Sequence, residues 1–159
     1  MEAYPFFDGC EILALQWEQI TDGVCTIDRA LHRMENAIGT PKWGICVQFP
    51  LCKKAIDNLP EKTGAFVFHI QAEHLQGKWW RRAFINSMQK MGIDYKGRNL
   101  TPHSFRHSLN TNLLLAGVPE LYVRRYIGWT PSSKDTQAAY THIKTQDLQI
   151  VADAIDKMY

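Results

Sequence analysis

The sequence predicts a mostly helical α+β domain with a small antiparallel sheet at one edge. Apolar residues recur at helical spacing over 11–20, 75–91 and 146–157. Two β-branched runs, "GVCTIDRAL" (23–31) and "ICVQF" (45–49), flank the turn-rich "GTPKWG" (39–44) and read as a hairpin. Between 101 and 128, proline and glycine punctuate two further helices.

Taken in order, "EILALQWEQI" (11–20) reads as an amphipathic helix, followed by the hairpin strands. A short helix spans about 51–59, and "AFVFHI" (65–70) reads as a strand. In the helix over 75–91, Trp80, Ala83, Phe84, Met88 and Met91 form an inner stripe, while Lys78, Arg81, Arg82 and Lys90 lie largely off it. The adjacent Trp79 and Trp80 read as core packing before they read as a platform for stacking bases. Thr101 is a good N-cap, and Pro102 sits at the first helical position, where its missing N–H costs nothing. Gly117 stops that helix, Pro119 opens the next and Gly128 stops it, so both glycines are expected at positive φ. A helix around 133–141 and a last one over 146–157 complete the domain. In the last, Leu148, Val151, Ala152 and Ile155 share one face.

The chain has 159 residues, 45% of them apolar, with ordinary glycine and proline content, which suits one globular domain over 1–159. No apolar run approaches the ~20 residues of a membrane helix, and the acidic, proline-containing start is unlike a signal peptide. Cys10, Cys25, Cys46 and Cys52 show no Cys-x-x-Cys spacing and read as reduced, buried thiols in a cytosol. The net charge of +2 argues for no partner, but its distribution does. Residues 1–40 carry seven acidic side chains against two arginines, a net of −5. Residues 78–106 carry seven basic side chains against Asp94 alone, a net of +6. Such clustering is the footprint of a polyanion-binding face, with a solvated helix face as the competing reading.

The stretch "TPHSFRHSLNTNLLLAGV" (101–118) holds the chemistry. His103 and Arg106, three apart, point to one side of a helix's first turn. A helix start already offers backbone N–H groups and a positive dipole end, so a phosphate is the natural guest. Arginine brings a planar fork for two phosphate oxygens, and histidine a hydrogen bond or a proton acceptor. Two readings compete. The histidines His103 and His107 are half of a zinc site, although no His-Glu-x-x-His and no nearby acidic ligand accompany them. Or both are capping and core residues.

Downstream, "YIGWTPSSKDTQAAYTHI" (126–143) places a Gly-Trp pair eleven residues before a tyrosine followed by Thr-His. With "EILALQWEQI" and "TPHSFRHSLNTNLLLAGV", the order and spacing of these elements resemble the catalytic domain of the tyrosine recombinase (phage integrase) family, over most of the chain. The resemblance implies that Tyr140 attacks a DNA phosphodiester, forming a 3′-phosphotyrosine and releasing a 5′-hydroxyl. Arg106 is then one of two arginines clamping the scissile phosphate, and His103 is its hydrogen-bonding or base-like companion. Trp129 stands where many members carry histidine, and its indole N–H can donate to a phosphate oxygen. Lys42 resembles the hairpin lysine that protonates the leaving oxygen, with an ordinary turn lysine as the competing reading. Double-stranded DNA is the implied partner, facing Lys78, Arg81, Arg82, Arg98, Arg124 and Arg125. No metal, small-molecule cofactor or membrane is implied. Members assemble as tetramers by exchanging C-terminal helices; residues 146–157 fit that role or simple packing on their own domain.

One element departs from the family. Its first catalytic arginine lies three residues ahead of the glutamate matched by Glu11, where this chain has Asp8 in "FFDGCEILAL". Matching the glycine instead leaves the arginine deleted. Loss of one such donor commonly costs ~10²–10³ in rate. The expectation is an impaired catalytic-domain fragment, lacking a core-binding domain and the first catalytic-domain helix. Its rivals are a degenerate relative that binds DNA as a regulator through a helix-turn-helix over 103–128, and a metal hydrolase built on His103 and His107.

Overall fold

The computed structural model describes residues 9–32, 37–41, 46–68, 77–128 and 142–159, and of 77–80 the backbone alone. The fold class is the expected one: helices packed over small antiparallel sheets.

Helix α1 (Gly9–Ala14) is shorter than the helix expected over 11–20. The chain leaves it because its next residues are claimed by a neighbouring segment. Val67 N–H donates to Leu15 O (2.9 Å), Trp17 N–H donates to Ala65 O (3.0 Å), and Gln16 bridges Phe66. The strand expected over 65–70 is present only as this bridge, and 69–76 lie outside the described residues. A single turn of 3-10 helix, Trp17–Gln19, follows. The buried Gln19 side chain holds it: Oε1 accepts from Gln16 N–H (2.8 Å), and Nε2 donates to Thr26 O (3.0 Å) and Asp28 Oδ1 (2.7 Å).

Strands β1 (Ile20–Thr21) and β2 (Val24–Ile27) are joined by Asp22 and Gly23 at φ 50° and 75°. Two successive left-handed residues match the twist of a two-residue hairpin, and Asp-Gly is a favoured pair for it. β2 next pairs antiparallel with β5 (Val47–Pro50), Val24 opposite Pro50 and Ile27 opposite Val47, giving the order β1-β2-β5. The two β-branched runs therefore pair as expected, but the first is two strands. After Ile27 the chain turns, and β3 (Ala30–His32) pairs with β4 (Ala37–Gly39) in a separate hairpin.

Helix α2 (Lys53–Asp57) lies within the expected 51–59, and α3 (Gly77–Lys90) within 75–91. In α3, Phe84 and Met88 are buried while Arg81, Arg82 and Lys90 are exposed, as the stripe predicts. Met91 is a correction, at 54% exposure. The helix stops at Lys90, and Gly92 (φ 66°) turns the chain so that Ile93 N–H reaches Met88 O (2.9 Å), leaving Met91 outside the stripe.

Helices α4 (Pro102–Leu115) and α5 (Glu120–Tyr126) meet at the predicted glycine. Gly117 has φ 81°, its N–H donates to Leu114 O (3.0 Å), and Val118 N–H donates to Leu113 O (3.0 Å). Val118 and Leu113 are both buried, the apolar contact that accompanies this helix ending. Gly128 ends α5 at φ 70°. After a 3-10 turn at Thr145–Leu148, α6 (Gln149–Met158) closes the domain; the helix expected around 133–141 lies outside the described residues.

The core forms where the sheet meets α4, α5 and α6. Cys25, Ile27 and Phe49 pack with Leu109, Leu113, Val123 and Tyr126, and with Leu148, Val151, Ala152 and Ile155. Each fully buried aliphatic side chain contributes about 1.5–3 kcal/mol. Helix α6 thus packs on its own domain, and polar contacts fasten it there. The Asp156 carboxylate accepts from Lys53 N–H (2.8 Å) and Lys54 N–H (3.0 Å), serving the open N–H groups at the start of α2. Asn112 Nδ2 donates to Tyr159 Oη (2.8 Å). No disulfide joins the cysteines. Cys25 and Cys52 are buried as expected, and burial pushes the Cys25 thiol up to about 12. Cys10 is only half-buried, and Cys46, just ahead of β5 and outside the core, is exposed.

Tyr126 sits at the centre, its ring edge-on to Phe49 and its hydroxyl donating to Pro50 O (2.7 Å). Burial holds its phenol well above the ordinary tyrosine range. Tyr126→Phe strands a buried carbonyl and should cost about 1–3 kcal/mol, read as a lower denaturation midpoint with an unchanged m-value. Gly128→Ala should cost more than Gly117→Ala. Both force a left-handed alanine, about 1–2 kcal/mol. A methyl at 117 meets nothing within 4 Å, whereas one at 128 lies 3.3 Å from Val47 Cγ2. Equal losses would contradict this packing.

Candidate phosphate-binding site

The site grows from the start of α4. Thr101 adopts the extended conformation of an N-cap (φ −130°, ψ 165°), Pro102 follows at the first helical position, and Thr101 N–H donates to Ser104 Oγ (3.0 Å). This start presents His103, Arg106 and His107 over two turns. His103 and His107 are exposed, with rings edge to face at 5.1 Å.

Arg106 behaves differently. It precedes the buried Leu109 and Leu113 by three and seven residues, which places it on the helix's core stripe, and it is half-buried. From there its Nη2 donates to Ile127 O (2.5 Å). That carbonyl belongs to the C-terminal end of α5, where backbone acceptors lack helical partners and the dipole is negative, so a guanidinium is well matched. The bond sets the guanidinium beside the segment that continues through Gly128 to Trp129. Gly128 in turn lies against Val47, at the start of β5.

The remaining predicted residues divide by position. Trp129, Tyr140, Lys42 and Asp8 lie outside the described residues, as does the Lys78 side chain, so the expected convergence of Trp129 with His103 and Arg106 is not described. Arg81, Arg82 and Arg98 are exposed. Arg124 is engaged along its own helix, its Nε donating to Glu120 Oε1 (2.7 Å) with Nη2 at 2.5 Å from the same oxygen. Arg125 has no such carboxylate among the described residues, and its Nε is buried without a hydrogen-bond partner there. Arg125 also acts on the Cys46 thiol at the foot of β5. Burial chiefly raises that thiol's pKa, Asp28 adds to the rise, and Arg125 opposes it. Lys96, in the same basic segment, is a further exposed cation outside the predicted set. Its signal was the local charge run. Among the described residues, no three His, Cys, Asp or Glu side chains gather as a metal site requires. No helix there is long and apolar enough to cross a membrane.

Residues 10–147 match the Phage integrase family. The tyrosine recombinase XerC of Corynebacterium glutamicum is 28% identical over 92 residues, covering 58% of this chain and 28% of the relative. XerC of Corynebacterium efficiens is 30% identical over 95 residues, covering 60% and 29%. The chain thus spans under a third of the length of these curated relatives. Among solved structures, the Tn1549 transposon integrase with a circular intermediate DNA superposes with a TM-score of 0.63 at 18% identity, over 92% of this chain and 54% of that one. The same integrase with transposon right end DNA gives 0.62 at 17%, over 98% and 56%. At such identities the likeness speaks for the fold. The family match, reaching from α1 through α4 and α5 to the turn before α6, carries the assignment: the chain belongs to the phage integrase family, the tyrosine recombinases that break and rejoin DNA.

Proposed function

We propose that residues 1–159 form a DNA recombinase catalytic domain that acts on a phosphodiester without metal. The observation that carries this reading is the half-buried Arg106 at the start of α4, its guanidinium oriented by Ile127 O two residues ahead of Trp129. Arg106 and His103 bind the scissile phosphate, and Trp129 donates its indole N–H. The Tyr140 Oη attacks phosphorus, the bond to the 5′-oxygen breaks, and Lys42 supplies the proton that the leaving oxygen takes. The phosphotyrosyl bond retains the energy needed to reseal a strand. Fixed cationic donors stabilise the charge of the pentavalent transition state. Lys78, Arg81, Arg82, Arg98, Arg124 and Arg125 form the DNA-facing side; Arg124 does so while paired with Glu120. On DNA the protein assembles as a tetramer. The supporting findings are the family match and the DNA complexes of its structural neighbour, the Tn1549 transposon integrase.

The lack of the family's first arginine, whether replaced by Asp8 or deleted beside it, makes the domain a weak catalyst. A second reading, favoured by that missing arginine, is a DNA-binding relative that no longer cuts. Binding and cutting tests separate them. Duplex DNA followed by fluorescence anisotropy at two salt concentrations should bind weakly, and more weakly as salt rises, because released counterions drive association. Affinity that ignores salt would remove the DNA-binding face. A suicide DNA substrate should trap a small amount of covalent complex. Tyr140→Phe should abolish it, Arg106→Lys should lower it by ~10²–10³ because the bidentate fork is lost, and Asp8→Arg should raise it. No trapping by either the natural chain or the Asp8→Arg variant would favour the silent binder. Trapping that survives Tyr140→Phe would overturn the mechanism.

A further inference from the structure

Between α3 and α4, residues 93–100 read "IDYKGRNL" and hold two cations: Arg98, already placed on the DNA-facing side, and Lys96, which has no role so far. The segment is folded on itself. Asp94 Oδ1 accepts from Gly97 N–H (2.8 Å), Arg98 N–H donates to Asp94 O (3.2 Å), Asn99 N–H to Lys96 O (3.1 Å) and Leu100 N–H to Tyr95 O (2.8 Å). Asn99 takes the left-handed conformation at φ 50°. A methyl at Gly97 would lie 2.2 Å from Asp94 Oδ2, so a larger residue there displaces the carboxylate from the turn. Both ends are anchored. Tyr95 packs edge-on to Phe84 of α3 (6.3 Å), which packs edge-on to Phe105 of α4 (5.9 Å). Leu100 leads directly into Thr101, the N-cap of α4.

Lys96 and Arg98 project from this frame. Both are exposed, and neither meets a carboxylate at ion-pair distance among the described residues. Asp94, the one acidic side chain of the segment, is exposed and accepts from Gly97 N–H through Oδ1. A tight turn that spends its acid on its own backbone, holds two cations outward and joins the helix carrying His103 and Arg106 suits a partner with regularly spaced negative charge. We infer that residues 93–100 are a prefolded anchor for the DNA phosphate backbone, in which Lys96 and Arg98 each contact a phosphate flanking the one bound at the start of α4. The inference rests on the DNA-binding reading above. Contacts of this kind carry no base information and set position and affinity. Because the turn is ordered beforehand, little backbone entropy is lost on binding, and the ordering cost is confined to the two side chains.

The test is the salt dependence of duplex binding by the full chain, measured by anisotropy on a labelled duplex. Each phosphate contact contributes about 0.9 to the slope of log K against log salt, so Lys96→Gln with Arg98→Gln should flatten it by about 2. A charge-matched control, Lys62→Gln with Lys157→Gln, should leave the slope unchanged. Gly97→Ala keeps both cations but expels the Asp94 carboxylate from the turn. It should keep the slope and lower affinity roughly 3- to 10-fold, with circular dichroism confirming a folded domain. If the wild-type slope is steep and the Lys96/Arg98 variant reproduces it, the anchor is wrong while DNA binding stands. If the control pair flattens the slope equally, the contacts are diffuse and the anchor is likewise wrong. If the wild type binds no duplex at low salt, the DNA-binding reading falls and the anchor with it. Gly97→Ala binding as tightly as wild type would overturn prefolding.

Discussion

Arg106 cannot reach Ile127 O unless α4 and α5 are held at one angle, and much of the chain is arranged to hold it. Gly117 reverses the chain after α4 in the left-handed conformation, and Val118 closes on Leu113 beneath it. Gly128 ends α5 so that the Ile127 carbonyl is available at the helix terminus. A cation whose stem runs along a core stripe is positioned by packing as much as by its hydrogen bond. Phosphate chemistry requires that positioning, because a fixed donor adds no reorganisation cost when charge develops.

The two helices rest on a sheet whose centre is tied to them by Tyr126. Its ring fills the space beside Phe49 while its hydroxyl satisfies Pro50 O at the end of β5. Helix α6 completes that core from the same chain, its apolar face buried against α4 and α5 and its Asp156 seated on the start of α2. A polar latch between segments about a hundred residues apart gives a short helix the cap its own sequence does not supply, since Cys52 precedes it without a capping side chain.

Charge on the surface is less uniform than the residue count implies. Arg124 is engaged by Glu120 in its own helix, and Arg29 by Glu18 and Gln16 on the sheet side. Lys96 and Arg98 instead leave a tight turn with their acid already occupied. Two cations on a folded turn differ physically from two on an unordered loop, because the backbone's ordering cost has been met in folding.

The sequence alone determined what depends on local chemistry. Thr101-Pro102, Gly117, Pro119 and Gly128 mark helix ends through backbone constraints that no distant contact is needed to reveal, and the stripe of α3 follows from spacing. The family was legible for the same reason, since its elements keep their order along the chain. Even the hairpin at Asp22-Gly23 carried a local signal, standing between the amphipathic run of 11–20, which suggested a longer helix, and the strand expected from 23. Tertiary structure decided the rest. Leu15 and Trp17 leave the helix because the 65–67 segment offers them backbone partners, and the 23–31 run divides because β2 and β3 join different sheets. Arg106 and Ile127 are 21 residues apart. Nothing in either neighbourhood states that one side chain serves the other's carbonyl; only the packing of α4 on α5 brings them together.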